Sequence, residues 1–240
     1  MTFVYLVIIG LQIGSIYALV ALGYSMVYGI VKLVNFAHGD IIMVGAYCVW
    51  YLTSRLSIPA WISVPAAILL CSALGVLIEK IAYKPLRKSD RLALLVTAIG
   101  ISLFLQNAVQ LLFSADPRMF TNIFGGTITI GERQFSNATA ATIVISTIIM
   151  IGLTFLVKRT KIGKAMRTVS EDNEAAQLMG INVNNTISFT FALGSGLAAV
   201  GAVFYCCSYS QIQPTMGNML GLKAFVAAVL GGIGSIPGAM

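Results

Sequence analysis

Charge is what this sequence has little of. Among 240 residues, 15 are Lys or Arg and 8 are Asp or Glu, so 10% carry charge while 58% are hydrophobic. A soluble domain carries roughly a quarter of its residues as charges. So few charges leave a large soluble globule almost nothing to show to water, and the composition argues for a chain that lives in lipid. Cysteine is also scarce. Cys48, Cys71, Cys206 and Cys207 all lie in or beside apolar segments. Cys206 and Cys207 are immediate neighbours, which is not a metal-ligand spacing. They read as small hydrophobes at helix contacts. Histidine occurs once, at His38, so a metal site has no ligand cluster to build on.

Two motifs are missing. The chain contains no Gly-x-x-x-x-Gly-Lys-[Ser/Thr] phosphate loop, and Gly163-Lys164 is followed by Ala165. If ATP is used, another chain must hold it. The opening segment has no positive n-region, and its apolar run far exceeds the roughly 7–15 residues of a signal peptide core. It reads as a retained first span.

What is present is a series of long charge-free runs: Met1 to Val31, Leu92 to Ala115, Gln134 to Val157 and Ala175 to Leu222. About 20 mostly apolar residues cross a bilayer as helix. Crossings are expected at 4–27, 34–52, 60–79, 92–113, 138–157, 186–206 and 221–236. The last run is interrupted by "SYSQIQPTMGNM", Ser208 to Met219. The expected fold is therefore all-α, a polytopic transmembrane helix bundle of about seven spans, with residues 1–240 as a single membrane domain.

The net charge of +7 does not point to nucleic acid, because of where the charge lies. Lys80, Lys84, Arg87, Lys88 and Arg91 fall in one loop; Lys158, Arg159, Lys161, Lys164 and Arg167 fall in another. Basic loops beside spans are cytoplasmic and close to anionic headgroups. That fixes the topology. The loop 114–137 is outside, the loop 158–185 is cytoplasmic, and the N-terminus is outside. Within the outside loop, "GTITIGERQF" alternates around Gly131-Glu132 and predicts a short hairpin. "ALGSGLAAVGAVF", Ala192 to Phe204, has the small residues that let membrane helices approach closely. "GLKAFVAAVLGGIGSIPGAM", Gly221 to Met240, is too rich in glycine for one uninterrupted helix. It ends in mid-segment, which predicts a chain truncated at its C-terminus.

Two stretches carry polar information. "KLVNFAHGDIIMVGAY", 32 to 47, places Asn35, His38 and Asp40 within six residues of an oily chain. One reading is an interfacial cytoplasmic turn, with Asn35 capping a helix and Asp40 in water. The other is a pathway or gate, since ionisable groups within a membrane segment face a bundle interior or a water-filled path. The second stretch is "KRTKIGKAMRTVSEDNEAAQLMGINVNN", Lys158 to Asn185. A basic arm leads to a short helix expected over 168–180. Thr168 to Glu171 fits a capping box, acidic Glu171, Asp172 and Glu174 suit its first turn, and Gly180 suits a left-handed C-terminal position. Its small face, Ala175, Ala176 and Met179, should lie on something. The helix is either a solvated structural element or a docking knob.

Glu174-Ala175-Ala176-x-x-x-Gly180 resembles the EAA motif of ABC importer permeases. Together with "ALGYSMVYGIVKLVNFAHGD" (Ala21 to Asp40), "TAIGISLFLQN" (Thr97 to Asn107), "MGINVNNTISFTFALGSGLAAVGA" (Met179 to Ala202) and the C-terminal stretch, it makes the whole chain resemble the LivH type of branched-chain amino acid ABC permease. The resemblance implies a bacterial inner-membrane subunit of an ATP-driven importer. A second permease subunit, cytoplasmic ATPase subunits and a periplasmic substrate-binding protein are the implied partners. It implies no catalytic residue, no metal and no cofactor bound by this chain, with ATP used by the ATPase subunits. Glu171, Glu174, Ala175, Ala176 and Gly180 become the docking element, and Asn35, His38 and Asp40 candidates for the pathway or gate. Members are usually longer at the C-terminus. Relatives of this type also handle urea and short amides, which leaves the cargo open. The rival classes are a proton-coupled secondary transporter using His38 and Asp40, an intramembrane enzyme, which lacks an evident nucleophile, and a channel, against which the absence of charge rings argues.

Overall fold

The structure, a computed structural model, describes residues 2–32, 35–87, 89–120, 122–130, 133–234 and 238. It is mostly helix, as lipid demands: without water in the hydrocarbon core, backbone polar groups must be bonded within their own segment. The charge-free opening forms α1 (Thr2–Val31), followed by α2 (His38–Ser54) and α3 (Ala60–Ile78). α3 continues through a π-turn (Glu79–Tyr83) into α4 (Lys84–Leu86). Then come α5 (Arg91–Phe113), α6 (Asn137–Arg159), α7 (Lys161–Glu171), α8 (Asn173–Leu178), α9 (Val183–Tyr209) and α10 (Met216–Leu230). The expectation of an all-α polytopic bundle is met.

Among the described residues, five helices are long and apolar enough to cross a membrane: Phe3–Val31, Ala60–Leu86, Leu92–Phe113, Asn137–Arg159 and Val183–Tyr209. Phe3, Leu69, Leu111, Ile148 and Phe155 stay exposed on their outer faces, a surface suited to lipid. The other two expected spans differ from the prediction. The span placed at 34–52 is α2, which starts only at His38, and the span placed at 221–236 is α10, which runs from Met216 to Leu230. At 1.5 Å per residue each is about 22–26 Å long, short of a hydrocarbon core of about 30 Å. The polar run 208–219 was expected to be a break throughout. Instead α9 persists to Tyr209 and helix resumes at Met216, so Asn218 is helical.

The helices alternate in direction and give the bundle two ends. Gln12 of α1 donates to Ser208 of α9 at 2.7 Å, and Gly23 of α1 meets Gly194 further along, so these two long helices run antiparallel. At one end lies the predicted hairpin, β2 (Thr127–Ile130) against β3 (Arg133–Ser136), with Ile130 opposite Arg133; residues 131 and 132 of its turn lie outside the described residues. Beside it β1 (Arg118–Met119) pairs antiparallel with β4 (Gln211–Ile212), which ties the 114–137 loop to the end of α9. The other end holds α4, α7 and α8 and is the basic end.

α9 is the axis, packed on α1, α2 and α3. Its glycines do what small residues do between membrane helices: Gly194 faces Gly23, Gly196 faces Ser72 and Gly201 faces Val20. α5 is the opposite case. It touches chiefly α2 and the π-turn and leaves most of its length uncovered.

Candidate functional site

Both short helices follow the same local event. α1 ends at Lys32 and α9 ends at Ser210, each with positive φ, 57° and 51°. This left-handed conformation is uncommon for residues with a Cβ and costs roughly 1–2 kcal/mol, so each helix is stopped sharply. After each stop the chain re-enters the bundle and begins a new helix at depth. His38 lies against Gly23, which itself meets Gly194, and Gln106 bonds Asp40. Counted along α9 and α5, these contacts lie about 16–22 Å from the basic end at 1.5 Å per residue.

There the N-termini of α2 and α10 meet. A Cβ on Gly39 would collide with the Gly217 carbonyl, and one on Gly217 would collide with the Gly39 carbonyl. Only glycine permits this crossing. It places Asp40, 1% exposed, beside Asn218 and the polar edge of α5. Gln106 Nε2 donates to Asp40 Oδ1 at 2.9 Å, to Asn218 Oδ1 at 2.7 Å and to Ser102 Oγ at 3.1 Å. Alongside is a cavity of about 330 Å³, lined by residues of α1, α5 and α10 together with Phe36.

The three pathway candidates therefore part company. Asp40 belongs to this polar cluster. His38 is buried in a helix contact: its ring meets Tyr24 edge-on with centroids 4.5 Å apart, and a Cβ on Gly23 would come within 2.5 Å of its Nε2. Asn35 organises the start of α2, its Oδ1 accepting from Ala37 N at 3.1 Å and from Tyr83 Oη at 2.9 Å. An interfacial turn with Asp40 in water does not describe this geometry. Ser102, Gln106 and Asn218 were missed from sequence. The signal was there in Ser102 and Gln106, polar residues at i and i+4 within a charge-free span.

At the basic end the expected 168–180 helix is two helices. Thr160 starts α7 by accepting from Gly163 N at 3.1 Å. Thr168 to Glu171 are the last turn of α7, not a capping box: Thr168 Oγ1 donates back to Lys164 O at 3.0 Å. The cap of α8 is Asp172, which accepts from Glu174 N at 2.8 Å and Ala175 N at 3.1 Å. A single carboxylate satisfying two orphan N–H groups is a better start than Thr168 could offer. Glu171 thus ends one helix, and Glu174 opens the next.

The other end of α8 is as expected. Gly180 has φ +80°. Gly180 N donates to Gln177 O at 2.9 Å and Ile181 N to Ala176 O at 3.0 Å, the paired bonds of a Schellman stop. Ala176 is buried and Ala175 half-buried against the protein. Met179, expected on that inner face, points out, 76% exposed, beside Leu178 at 90%. With exposed Glu174 they form a small apolar and acidic knob. Leu178 was not identified from sequence.

Between knob and cluster sits a second buried carboxylate. Glu79, in the π-turn and fully buried, pairs with Arg87 and accepts from Ser188 Oγ at 2.6 Å. Arg87 also donates to Asn184 Oδ1 at 2.7 Å. These bonds fasten the π-turn to the first turns of α9, which follows α8 directly. Tyr83 in the same π-turn packs on Phe191 of α9 at 5.5 Å and holds Asn35. Contacts thus run without a gap from α9 through the π-turn to the start of α2. Sequence hid Glu79 beside Lys80 in an apparently basic loop. Among the described residues no three His, Cys, Asp or Glu side chains gather as a metal site.

Comparison with known proteins gives one family. The model of the "branched-chain amino acid transport system / permease component" family matches residues 6–240. The high-affinity branched-chain amino acid transport system permease protein BraD of Pseudomonas aeruginosa is 43% identical, over 96% of this chain and 80% of its own length. LivH of Escherichia coli K12, a high-affinity permease protein of the same kind of system, is 41% identical, over 96% and 79%. A probable branched-chain amino acid permease LivH of Methanocaldococcus jannaschii is 28% identical, over 94% and 73%. No solved structure matches the chain significantly.

Proposed function

The chain belongs to the family of branched-chain amino acid transport permease components, and from that premise we propose that it is the membrane subunit of an ATP-driven importer of branched-chain amino acids. In this reading it forms one transmembrane domain in the bacterial inner membrane, with the hairpin end and the N-terminus outside and the basic end cytoplasmic. The Lys and Arg clusters at that end favour the orientation. A second permease subunit stands beside it, a periplasmic binding protein delivers substrate from outside, and separate ATPase subunits hold and hydrolyse the ATP. The chain itself performs no covalent chemistry and binds no cofactor.

The observation that carries the reading is α8. Six residues are too few for a self-supporting helix, yet α8 is capped at both ends and holds Leu178, Met179 and Glu174 outward. An apolar pair so exposed on a loop helix marks a contact surface. In the proposal Glu171, Glu174, Ala175, Ala176 and Gly180 make up the docking element. Ala175 and Ala176 seat it on the permease, Gly180 fixes its exit, and Glu174 with Leu178 and Met179 enters the ATPase subunit. Movement imposed there reaches α9 directly and, through Arg87, Glu79, Tyr83 and Asn35, the start of α2. Asn35 and His38 then hold the moving parts together, while Asp40 lies nearest the path.

The test is uptake of leucine into proteoliposomes holding this chain with its second permease, ATPase subunits and binding protein. Uptake should require ATP and the binding protein. Glu174→Arg, at an exposed position, should abolish it with the fold intact. Uptake driven by a proton gradient without ATP would overturn the proposal and return His38 and Asp40 to a relay. Binding-protein-stimulated ATP turnover with urea or acetamide uptake, and none of leucine, would retain the importer and change its cargo.

A further inference from the structure

α9 is covered along most of its circumference, and one stripe is left over. Between residues 189 and 200, Phe189, Ala192, Leu193 and Val200 are half-buried and the rest are buried. These four floor a groove of about 340 Å³ whose walls are Ile68 and Ser72 of α3 and Ile149 of α6. The groove exists because its walls do not close on each other. α9 packs closely on α3 and more lightly on α6, while α3 and α6 share no substantial contact. Every residue lining the groove is half-buried or buried, so it is a recess and not an outer helix face. Ser72 is the one polar side chain in its lining.

Length and charge say what the recess fits. Phe189 to Val200 spans about 16 Å at 1.5 Å per residue, close to one leaflet's half of a hydrocarbon core of about 30 Å. The recess starts about 9 Å along α9 from Val183 and so lies toward the basic end. Both walls finish there in cations. α3 runs on to Lys80 and Lys84, and α6 ends in Lys158 and Arg159, with Lys161 opening α7. All five are exposed. None is in an ion pair, since the one ion pair among the described residues joins Arg87 to Glu79. Arg87 also donates to Asn184 Oδ1 in the first turn of α9, which holds the α3 side of the mouth at the base of that helix. On the other side α7 packs on α9. A neighbouring helix would match the recess and leave the cations unmatched. An anionic lipid matches both, as basic pockets between membrane helices do for acidic headgroups.

We propose that the groove between α3 and α6 binds an anionic phospholipid of the leaflet at the basic end. One acyl chain lies along Phe189, Ala192 and Val200. The phosphate rests between the ends of α3 and α6, where Lys80 and Arg159 attract it. The lipid thereby closes the open stripe of α9, the helix that follows α8. This needs only the membrane bundle and holds whatever the cargo.

The experiment titrates the purified complete transporter with phosphatidylglycerol or with phosphatidylcholine of the same chains, and counts retained lipid by native mass spectrometry. Wild type should retain phosphatidylglycerol in preference to phosphatidylcholine. Lys80→Gln and Arg159→Gln, both at exposed positions, should each weaken phosphatidylglycerol retention about fivefold, the scale of one cation near an anionic surface, and leave phosphatidylcholine unchanged. Ala192→Trp fills the recess and should remove one retained lipid per copy of this chain. Ile148→Trp, exposed on α6 outside the groove, is the control and should match wild type. Equal retention of the two lipids by wild type would overturn the site, and so would retention unchanged in the two charge variants. Loss of the second permease subunit from the Ala192→Trp complex, with the lipid count unchanged, would also overturn it and give the groove to that subunit. The readout is lipid and not uptake, so failure of the importer reading leaves this test intact.

Discussion

Among the described residues two carboxylates are buried in this bundle, and they are treated in opposite ways. Glu79 meets Arg87, Ser188 and a π-turn that wraps it onto α9. Asp40 meets the neutral side chains of Gln106 and Ser102, a glycine crossing and a cavity. The first is closed: its charge is matched and both its oxygens are bonded. The second has no cation among the described residues and only neutral hydrogen-bond partners. Burial alone therefore does not say how a carboxylate is compensated in a membrane; its partners do.

The widest separation between the two should come from removing the closing cation. Arg87→Ala strands Glu79 as an uncompensated buried charge and should cost on the order of 3–5 kcal/mol, read as a lowered unfolding midpoint in detergent. A variant as stable as wild type would end the claim that Glu79 is structural. Next is Gly39→Ala, which drives a Cβ into the Gly217 carbonyl. Overpacking of this kind costs roughly 1–3 kcal/mol, and Gly100→Ala, with open space around the added Cβ, should cost almost nothing by the same assay. Equal losses at the two glycines would mean that the α2–α10 crossing is not tight.

Gly180→Ala comes third. It keeps both carboxylates but asks alanine to adopt φ +80°, at about 1–2 kcal/mol locally. The loss should appear mostly as reduced ATP-coupled uptake, because α8 rather than the bundle absorbs the strain. The smallest stability effect should be Asp40→Asn. The amide keeps an acceptor for Gln106 and removes an unpaired charge, so stability should stay within about 1 kcal/mol of wild type while leucine uptake falls. A loss as large as that of Arg87→Ala would erase the distinction between the two sites.

Much of this was legible beforehand, and the parts that were not share a cause. Hydropathy and charge placement gave the helical bundle, its basic loops and the 127–136 hairpin, because each depends on the residues' own transfer energies and turn chemistry. Gly180 was legible as a helix stop because only glycine takes that φ without penalty. The start of α8 was misplaced by four residues: Thr168-Val-Ser-Glu171 satisfies the pattern of a capping box, and nothing local says that α7 has already begun at Lys161. The span at 34–52 was placed too early for a similar reason. Leu33 and Val34 are as apolar as any span, yet α2 begins where His38 finds the notch at Gly23. Met179 was assigned to the wrong face because a six-residue helix has too few turns to declare one.

By itself, then, the sequence determined that the chain is a membrane bundle, which loops carry positive charge and where one short acidic helix ends. These follow from what each residue prefers in water, lipid or a turn. Only the tertiary structure decided that α2 and α10 stop short, that their glycines cross at depth, and that among the described residues Glu79 has a cation while Asp40 has neutral partners. Residues 40, 106 and 218, like 79 and 188, are far apart along the chain. What they do depends on which neighbour arrives across the bundle, and no local preference encodes that.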